Sequence, residues 1–412
     1  MVRSVSDSDT VRRQNRGLVL DALRHQGPLA RTQLAGATGL SHASITAITH
    51  DMIGQGILVD LAAGQAGAKA RGRPAVRVGF NRAAAHVCVI EIDVNRTRLS
   101  LVDYGATLVD RLEGPLTAGQ FGSTPPLEFL AAGIARLADR NRAEMAGLKR
   151  IAASVQGILD KAGTRLAWSP VPNLAGHDIT EGLSARFGVP VTLIKRGRLL
   201  ADGARYLDPE LAEANLATVF IGSTVAMGLS AGGSLQGRGD EGATEFGHMN
   251  HVPNGALCRC GMRGCIEAYA ADYGILRAAF SVPETTSPAT AIPPSEYEQL
   301  INRGLAGDRN ATYAFNLAGR AIGYGLSRLL AVFEPSHVVI VGPGARAFSL
   351  MKGEIDAAFA TSLVGRVRGL PMVQTLRDES EPIFQGLVMR TLGDLDQTDM
   401  AALAGSGETG RG

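Results

Sequence analysis

The sequence predicts an α/β protein of two parts, a winged helix-turn-helix head followed by a larger α/β body. Three observations predict it. The first eighty or so residues read helix, helix, turn, helix and basic hairpin. From His86 onward, apolar runs of strand length alternate with amphipathic helices. The charge is split between the two parts: residues 1–82 hold eleven Arg/Lys against five Asp/Glu, and the remainder holds 30 against 34. A head at +6 on a body at −4 suits a head that meets a polyanion.

Length and composition set the bounds. A chain of 412 residues exceeds one ordinary domain. With 45% hydrophobic and 19% charged residues it can bury a sizeable core. The opening MVRSVSDSDTVRRQNRG has no apolar run, so no secretory signal is expected, and no stretch of about 18 apolar residues suggests a membrane span. Four cysteines, three of them clustered, do not make a disulfide framework. A cytoplasmic protein is the expectation.

In the head, VRRQNRGLVLDALRHQG reads as a helix with Leu18, Val19 and Leu23 at helical spacing, closed by Gly27-Pro28. Thr32 is expected to cap a short helix through Thr38, Gly39 to make the turn, and Ser41 to cap the next helix. There Ile45, Ile48, Met52 and Ile53 form one apolar face. The opposite face offers His42, Ser44, Thr46, Thr49 and His50. A helix of this girth fits the major groove of DNA, where exposed side chains read base edges. Arg31, Ser41, His42, Ser44, Thr46 and His50 are the candidates for that contact. ILVDL (57–61) and AVRVGF (75–80) read as a hairpin whose tip carries Lys69, Arg71 and Arg73, placed for the minor groove or for phosphates. The alternative is a three-helix packing module with a solvated basic loop.

In the body, HVCVIEIDV, TRLSLVDY and ATLVDRLEG read as a three-stranded meander, followed by the helix PPLEFLAAGIARLADRN and the strand in LKRIAASVQGILD. VPVTLIKR, ATVFIGSTVAMGLSAGG and HVVIVGPGA continue the alternation, the last entered from the helix AFNLAGRAIGYGLSRLLAVFEP. SVPETTSPATAIPPSEYEQ (281–299) reads as an exposed loop, and the C-terminal GSGETGRG as disordered. No short internal repeat is found.

The densest chemistry lies in EFGHMNHVPNGALCRCGMRGCIEAYA (245–270). Reduced thiols gathered in one place more often bind metal than pair, and three thiolates with one imidazole match a closed structural zinc site. Cys258, Cys260 and Cys265, with His248, are the proposed ligands, and Gly261 and Gly264 let the backbone fold back between them. Four protein ligands leave no position for an activated water, so a structural ion is expected. The alternative is a set of bystander thiols beside a core histidine. Cys88, inside a strand, reads as core.

The head with its GRP wing, EFGH (245–248), CRCGMRGCIE (258–267) and EPSHVVIVGPGAR (334–346) together resemble the ROK family (repressor, open reading frame, kinase), specifically its transcriptional regulators. The resemblance runs from Val11 to about Gly393. It implies a two-lobed actin-like (ribonuclease H-like) sugar-kinase fold behind the DNA-binding head, with lobes hinged around a sugar-sized cleft and subunits assembled as dimers or tetramers. The domains then fall at 1–82 for the head, 83–196 for the small lobe, rejoined by about 375–398, and 197–374 for the large lobe, with a disordered tail at 399–412. The family motif favours His248 over His251 as the metal ligand. It also implies that Glu245, His248 and Glu267 line the sugar cleft, near Gly157 and Asn173.

The family's kinases carry a DxGGT turn, where this chain has Asp93-Val94-Asn95-Arg96-Thr97. They place an Asn-Asp pair, holding the catalytic base, after a VPV strand; here Lys195-Arg196 stand there. A guanidinium cannot accept a proton at neutral pH. The expectation is therefore a regulator and not an ATP-dependent sugar kinase, its partners a double-stranded operator and a sugar or sugar-phosphate effector. A regulatory protein partner is the alternative route of control. Lys195 and Arg196 either draw an anionic effector such as a sugar phosphate into the cleft, or serve in surface or interlobe ion pairs of a pocket that no longer takes sugars.

Overall fold

A computed structural model of the chain describes residues 8–61, 76–117, 119–232, 234–235 and 243–405. The head begins with α1 (Ser8–Gln26), β1 (Leu29–Ala30), α2 (Arg31–Thr38) and α3 (His42–Gly54), and ends with β2 (Leu58–Leu61) and β3 (Arg77–Phe80). The expected hairpin of β2 and β3 gains a third strand, because β1 pairs with β3 through Leu29 and Val78. Ile45 and Met52 of α3 are fully buried, as their spacing predicts.

Two local expectations are corrected. Thr32 does not cap α2: the helix starts at Arg31, and Gln33 Oε1 accepts from the Ala30 amide 2.9 Å away. A glutamine at the third helical position supplies the cap from within. Thr49 does not face outward either. It is fully buried, its hydroxyl donating to the Ile45 carbonyl and accepting from Arg31 Nε at 3.0 Å. Ser41 does cap α3, its hydroxyl accepting from the Ser44 amide. Ser41→Ala is expected to cost the head about 1 kcal/mol, read as a lower midpoint in chemical denaturation of the full chain.

The body holds two sheets. The first has the order β10-β7-β4-β5-β6, from β4 (His86–Ile92), β5 (Arg96–Asp103), β6 (Leu108–Pro115), β7 (Leu148–Val155) and β10 (Val191–Lys195). The short hairpin β8 (Ile158–Leu159) and β9 (Leu166–Trp168) follows β7. The helices of this region are α4 (Gln120–Ser123), α5 (Pro126–Arg140), α6 (Arg142–Met145) and α7 (Ile179–Phe187). Next come α8 (Arg196–Leu207), β11 (Leu216–Ile221), β12 (Val225–Ala231), β13 (Ser234–Leu235) and β14 (Ala243–Thr244).

The second sheet runs β13-β12-β11-β15-β16, with β14 also on β12, and is completed by β15 (His337–Val341) and β16 (Met372–Leu376). Its helices are α9 (Glu267–Ala270), α10 (Asp272–Ala279), α11 (Pro294–Leu305), α12 (Arg309–Leu329), α13 (Phe348–Thr361) and α14 (Leu363–Arg368). Both sheets follow one plan, an antiparallel run leading into two parallel strands. The repeat is one of topology, which explains why no repeat is visible in the sequence.

The stretch 281–299 is not loop throughout, because Pro294 opens α11 and buries Tyr297. Proline fits the first turn of a helix, where its missing N–H has no partner to lose. The C-terminus is also more ordered than expected: α15 (Ser380–Gly405) runs past residue 399, while 406–412 lie outside the described residues. α15 packs on α8, on β4 and β7, and on α1. Two glycines allow the α8–α15 approach. A Cβ on Gly203 would stand 1.9 Å from the Pro382 carbonyl oxygen, and one on Gly386 2.3 Å from that of Leu199.

The head does not hang from a linker. One apolar core runs from Val19, Leu34 and Met52 of the head through Val87 and Tyr104 to Leu199, Leu387 and Leu395. At its centre Arg24, nearly buried, bonds Asp396 of α15 through Nε and Nη2 at 3.3 and 3.2 Å and donates to the Tyr104 carbonyl. The Tyr104 hydroxyl donates to Asp396 at 2.6 Å, and the Arg24 guanidinium lies 3.9 Å from the Phe80 ring centroid. No helix among the described residues is long and apolar enough to cross a membrane.

Candidate metal centre and adjoining cleft

His248 sits on a single 3-10 turn, Phe246–His248, and the three cysteines follow on a knuckle closed by short bridges between Asn250 and Cys265 and between Leu257 and Arg263. The knuckle needs Gly264. Its φ is +80°, and a Cβ there would lie 1.8 Å from the Val252 carbonyl oxygen. The donor atoms of His248, Cys258, Cys260 and Cys265 all lie within 4.8 Å of one another. Cys258 Sγ is 3.8 Å from His248 Nδ1, and Cys260 Sγ is 3.7 Å from Cys265 Sγ. Four ligands at about 2.3 Å from one ion stand about 3.8 Å apart along a tetrahedron's edges, so the cluster has the dimensions to hold a metal.

The four groups perturb one another strongly. Burial alone would lower the His248 pKa, but hydrogen bonding to Cys258 and Cys260 overcomes it and pushes the imidazole up to about 11. His251 lies outside the cluster, stacked edge-on at 5.3 Å from Tyr269. Cys88 is fully buried, its thiol pushed up to about 12 by that burial.

His248 faces two ways. Nδ1 turns to Cys258, and the same ring borders a cleft of about 500 Å³, open mouth included. Gly157, Lys195, Arg196, Glu245 and Glu267 also line it. Glu267 is 1% exposed and accepts from the Val225 amide at 3.2 Å; burial, then the charge of Cys258, lifts its pKa to about 7. Gly157 is required by its φ of +134° and by the Trp168 carbonyl oxygen, 2.1 Å from where a Cβ would stand. Asn173 is not brought into the cleft: it is exposed, at a left-handed φ of 57°.

Lys195 and Arg196 are both engaged. Lys195 Nζ lies 2.5 Å from Glu245 Oε1. Arg196 is 4% exposed and bridges Asp93 at 2.9 Å and Glu379 at 3.2 Å, with Phe220 beneath it. Both cations sit in ion pairs, and of these only Lys195–Glu245 spans the expected lobe boundary. The sequence reading missed Glu379 as a partner of Arg196. The two lie 183 residues apart, and no local pattern links them.

In the head, Ser41, His42, Thr46 and His50 are exposed, and Ser44 is half-buried, its hydroxyl 2.9 Å from that of Ser41. Arg31 is held back from a free surface role by an ion pair with Asp60 at 3.0 Å. Lys69, Arg71 and Arg73 lie outside the described residues.

A winged helix-turn-helix fused through one core to two sheet-based lobes and a cleft is the layout of transcriptional regulators built on a sugar-kinase scaffold. The chain belongs to the ROK family, whose model matches residues 91–381. It is similar to the xylose repressor of Bacillus subtilis (strain 168), 24% identical over 89% of this chain and 93% of the relative. It is also similar to the DNA-binding transcriptional repressor Mlc of Escherichia coli (strain K12), 25% identical over 83% and 84% of the two chains. Among solved structures, a ROK family transcriptional regulator described as a homolog of E. coli MLC superposes with a TM-score of 0.73 at 20% identity, covering 95% of this chain and 99% of that one. A ROK family glucokinase from Streptomyces griseus, solved with glucose and AMPPNP, gives 0.53 at 21% identity, covering 74% of this chain and 99% of its own.

Proposed function

We propose that the chain is a DNA-binding transcriptional regulator, a repressor in its ground mode, that senses a sugar in a kinase-like cleft without performing chemistry there. One observation carries this reading: α8 starts at the cleft wall, packs along α15, and α15 holds the head through Asp396 and Arg24. A ligand that changes lobe closure changes the seat of α8, and so the orientation of the head. Coupling of this kind is typically worth about 1–3 kcal/mol.

The kinase reading is disfavoured by the ion pairs. Phosphoryl transfer needs a base at the sugar and freedom for backbone amides to cradle phosphates. Lys195 and Arg196 stand at the base position, and Arg196 ties up Asp93 in the turn where the kinases have their glycines. The donor set suits zinc, which favours a tetrahedral cage of thiolates and imidazole. His248, Cys258, Cys260 and Cys265 would hold it, and the ion would fix His248 and the neighbouring Glu267 at the cleft.

The exposed residues Ser41, His42, Thr46 and His50, with Ser44 beside them, would face the major groove. Lys69, Arg71 and Arg73 would grip the minor groove or phosphates, and a homodimer or homotetramer would place heads on half-sites spaced by whole helical turns. The test is a gel shift on the DNA upstream of the gene across a salt series, with and without D-xylose, D-glucose or N-acetyl-D-glucosamine. A steep salt dependence and a sugar-induced loss of affinity are expected. Indifference to duplex DNA at low salt would end the reading; DNA binding untouched by every sugar would favour control by a protein partner. Arg73→Ala is expected to weaken binding on all sequences and to flatten the slope of log K against log salt by about one.

A further inference from the structure

Gln156 stands between β7 and the cleft-lining Gly157, and it is 5% exposed. Its backbone carbonyl accepts from the Ser169 hydroxyl at 2.8 Å. Its side-chain amide is another matter: neither Oε1 nor Nε2 has a hydrogen-bond partner among the described residues, and the residue borders the cleft. A buried amide with both ends unpaired is a standing cost, rare in a folded protein, and calls for a partner that enters the site.

The electrostatics of the same wall narrow the ligand. Both cations there are spent on carboxylates, Lys195 on Glu245 and Arg196 on Asp93 and Glu379. The remaining basic group of the wall, His248, turns Nδ1 to Cys258 at 3.8 Å, and Glu267 adds a second carboxyl group to that of Glu245, so a phosphorylated ligand meets no uncommitted positive charge. A side-chain amide offers one acceptor and two donors a short distance apart. Two neighbouring hydroxyls of a sugar ring match it, one donating to Oε1 and the other accepting from Nε2.

We infer that Gln156 is the residue that selects the effector, its amide taking two adjacent hydroxyls of an uncharged monosaccharide, and that the cleft discriminates against the phosphorylated form. This rests on the proposed sugar-sensing role and commits it to one ligand class. Selection here works by leaving the amide unpaired when the wrong ligand enters, a stronger filter than an apolar pocket provides.

Calorimetric titration of the full chain with D-xylose, D-glucose, N-acetyl-D-glucosamine and glucose 6-phosphate tests it, alongside Gln156→Leu and the unbranched Gln156→Met. The parent chain is expected to bind at least one neutral sugar, with glucose 6-phosphate at least tenfold weaker than that sugar. Each variant is expected to lose roughly ten- to a hundredfold in sugar affinity while its Tm without sugar stays level or rises, since the unpaired amide is gone. A residue with a merely structural role would lower the Tm instead. Equal affinity of parent and variants, equal binding of the phosphorylated sugar, or no heat from any of the sugars would each overturn the inference. Salt-dependent binding to the upstream DNA is read in the same samples, so the regulator reading stands or falls separately.

Discussion

Cys260→Ser is expected to strip the metal from the knuckle and to lower the melting temperature of the lobe that carries it. A serine hydroxyl does not deprotonate at neutral pH and is a poor partner for a borderline-soft ion, so the tetrahedral set falls to three. Metal binding to the folded chain alone is folding free energy: at a free concentration a thousandfold above Kd it stabilises by about 4 kcal/mol. The loss should reach the cleft as well, because Cys258 lies 3.6 Å from Glu267 and 3.8 Å from His248. Atomic absorption on the purified parent should return one zinc per chain and none for the variant, with calorimetry showing the same drop in Tm for the variant and for the chelated parent. A parent chain that is metal-free at full stability would remove the centre.

Arg24→Met is the second large effect. It leaves the Asp396 carboxylate, 9% exposed, with the Tyr104 hydroxyl in place of a two-point guanidinium contact. Removing one partner of a buried ion pair typically costs about 3–5 kcal/mol, whereas removing both costs far less. The double variant Arg24→Met/Asp396→Leu should therefore recover much of the loss. Acid should help the single variant too. Burial already holds the Asp396 pKa above the ordinary carboxylate range against the pull of Arg24, and removing Arg24 raises it further. A carboxyl whose folded pKa is raised favours the folded state when protonated, so the deficit grows as pH rises through that pKa and shrinks below it. Urea denaturation from pH 4 to pH 8 would show this; a pH-independent deficit would mean that Asp396 does not carry the charge assigned to it. Operator affinity should fall in the same variant, since the head loses its seat on α15.

The cluster of His248 with three cysteines was legible because its members fall within 18 residues, a span in which spacing and residue type suffice. The helices of the head were legible for the same reason, their apolar faces repeating at short range. What the sequence hid is long-range. Arg196 could be read as a free cation or as an ion-pair member, and only the fold brings Asp93 and Glu379 to it from opposite ends of the body. Thr49 looked like one more small polar residue on an outward face until Arg31 was seen folded against it. Pro294 read as loop punctuation, although a proline opens a helix as readily as it ends one. The placement of Asn173 depends on how the Trp168–Leu174 turn lies over the cleft, which no residue pattern states.

The clasp of Arg24 on Asp396 joins positions 372 residues apart. A chain cut between the two positions would keep the helices of the head and lose the contact that fixes their attitude on α15.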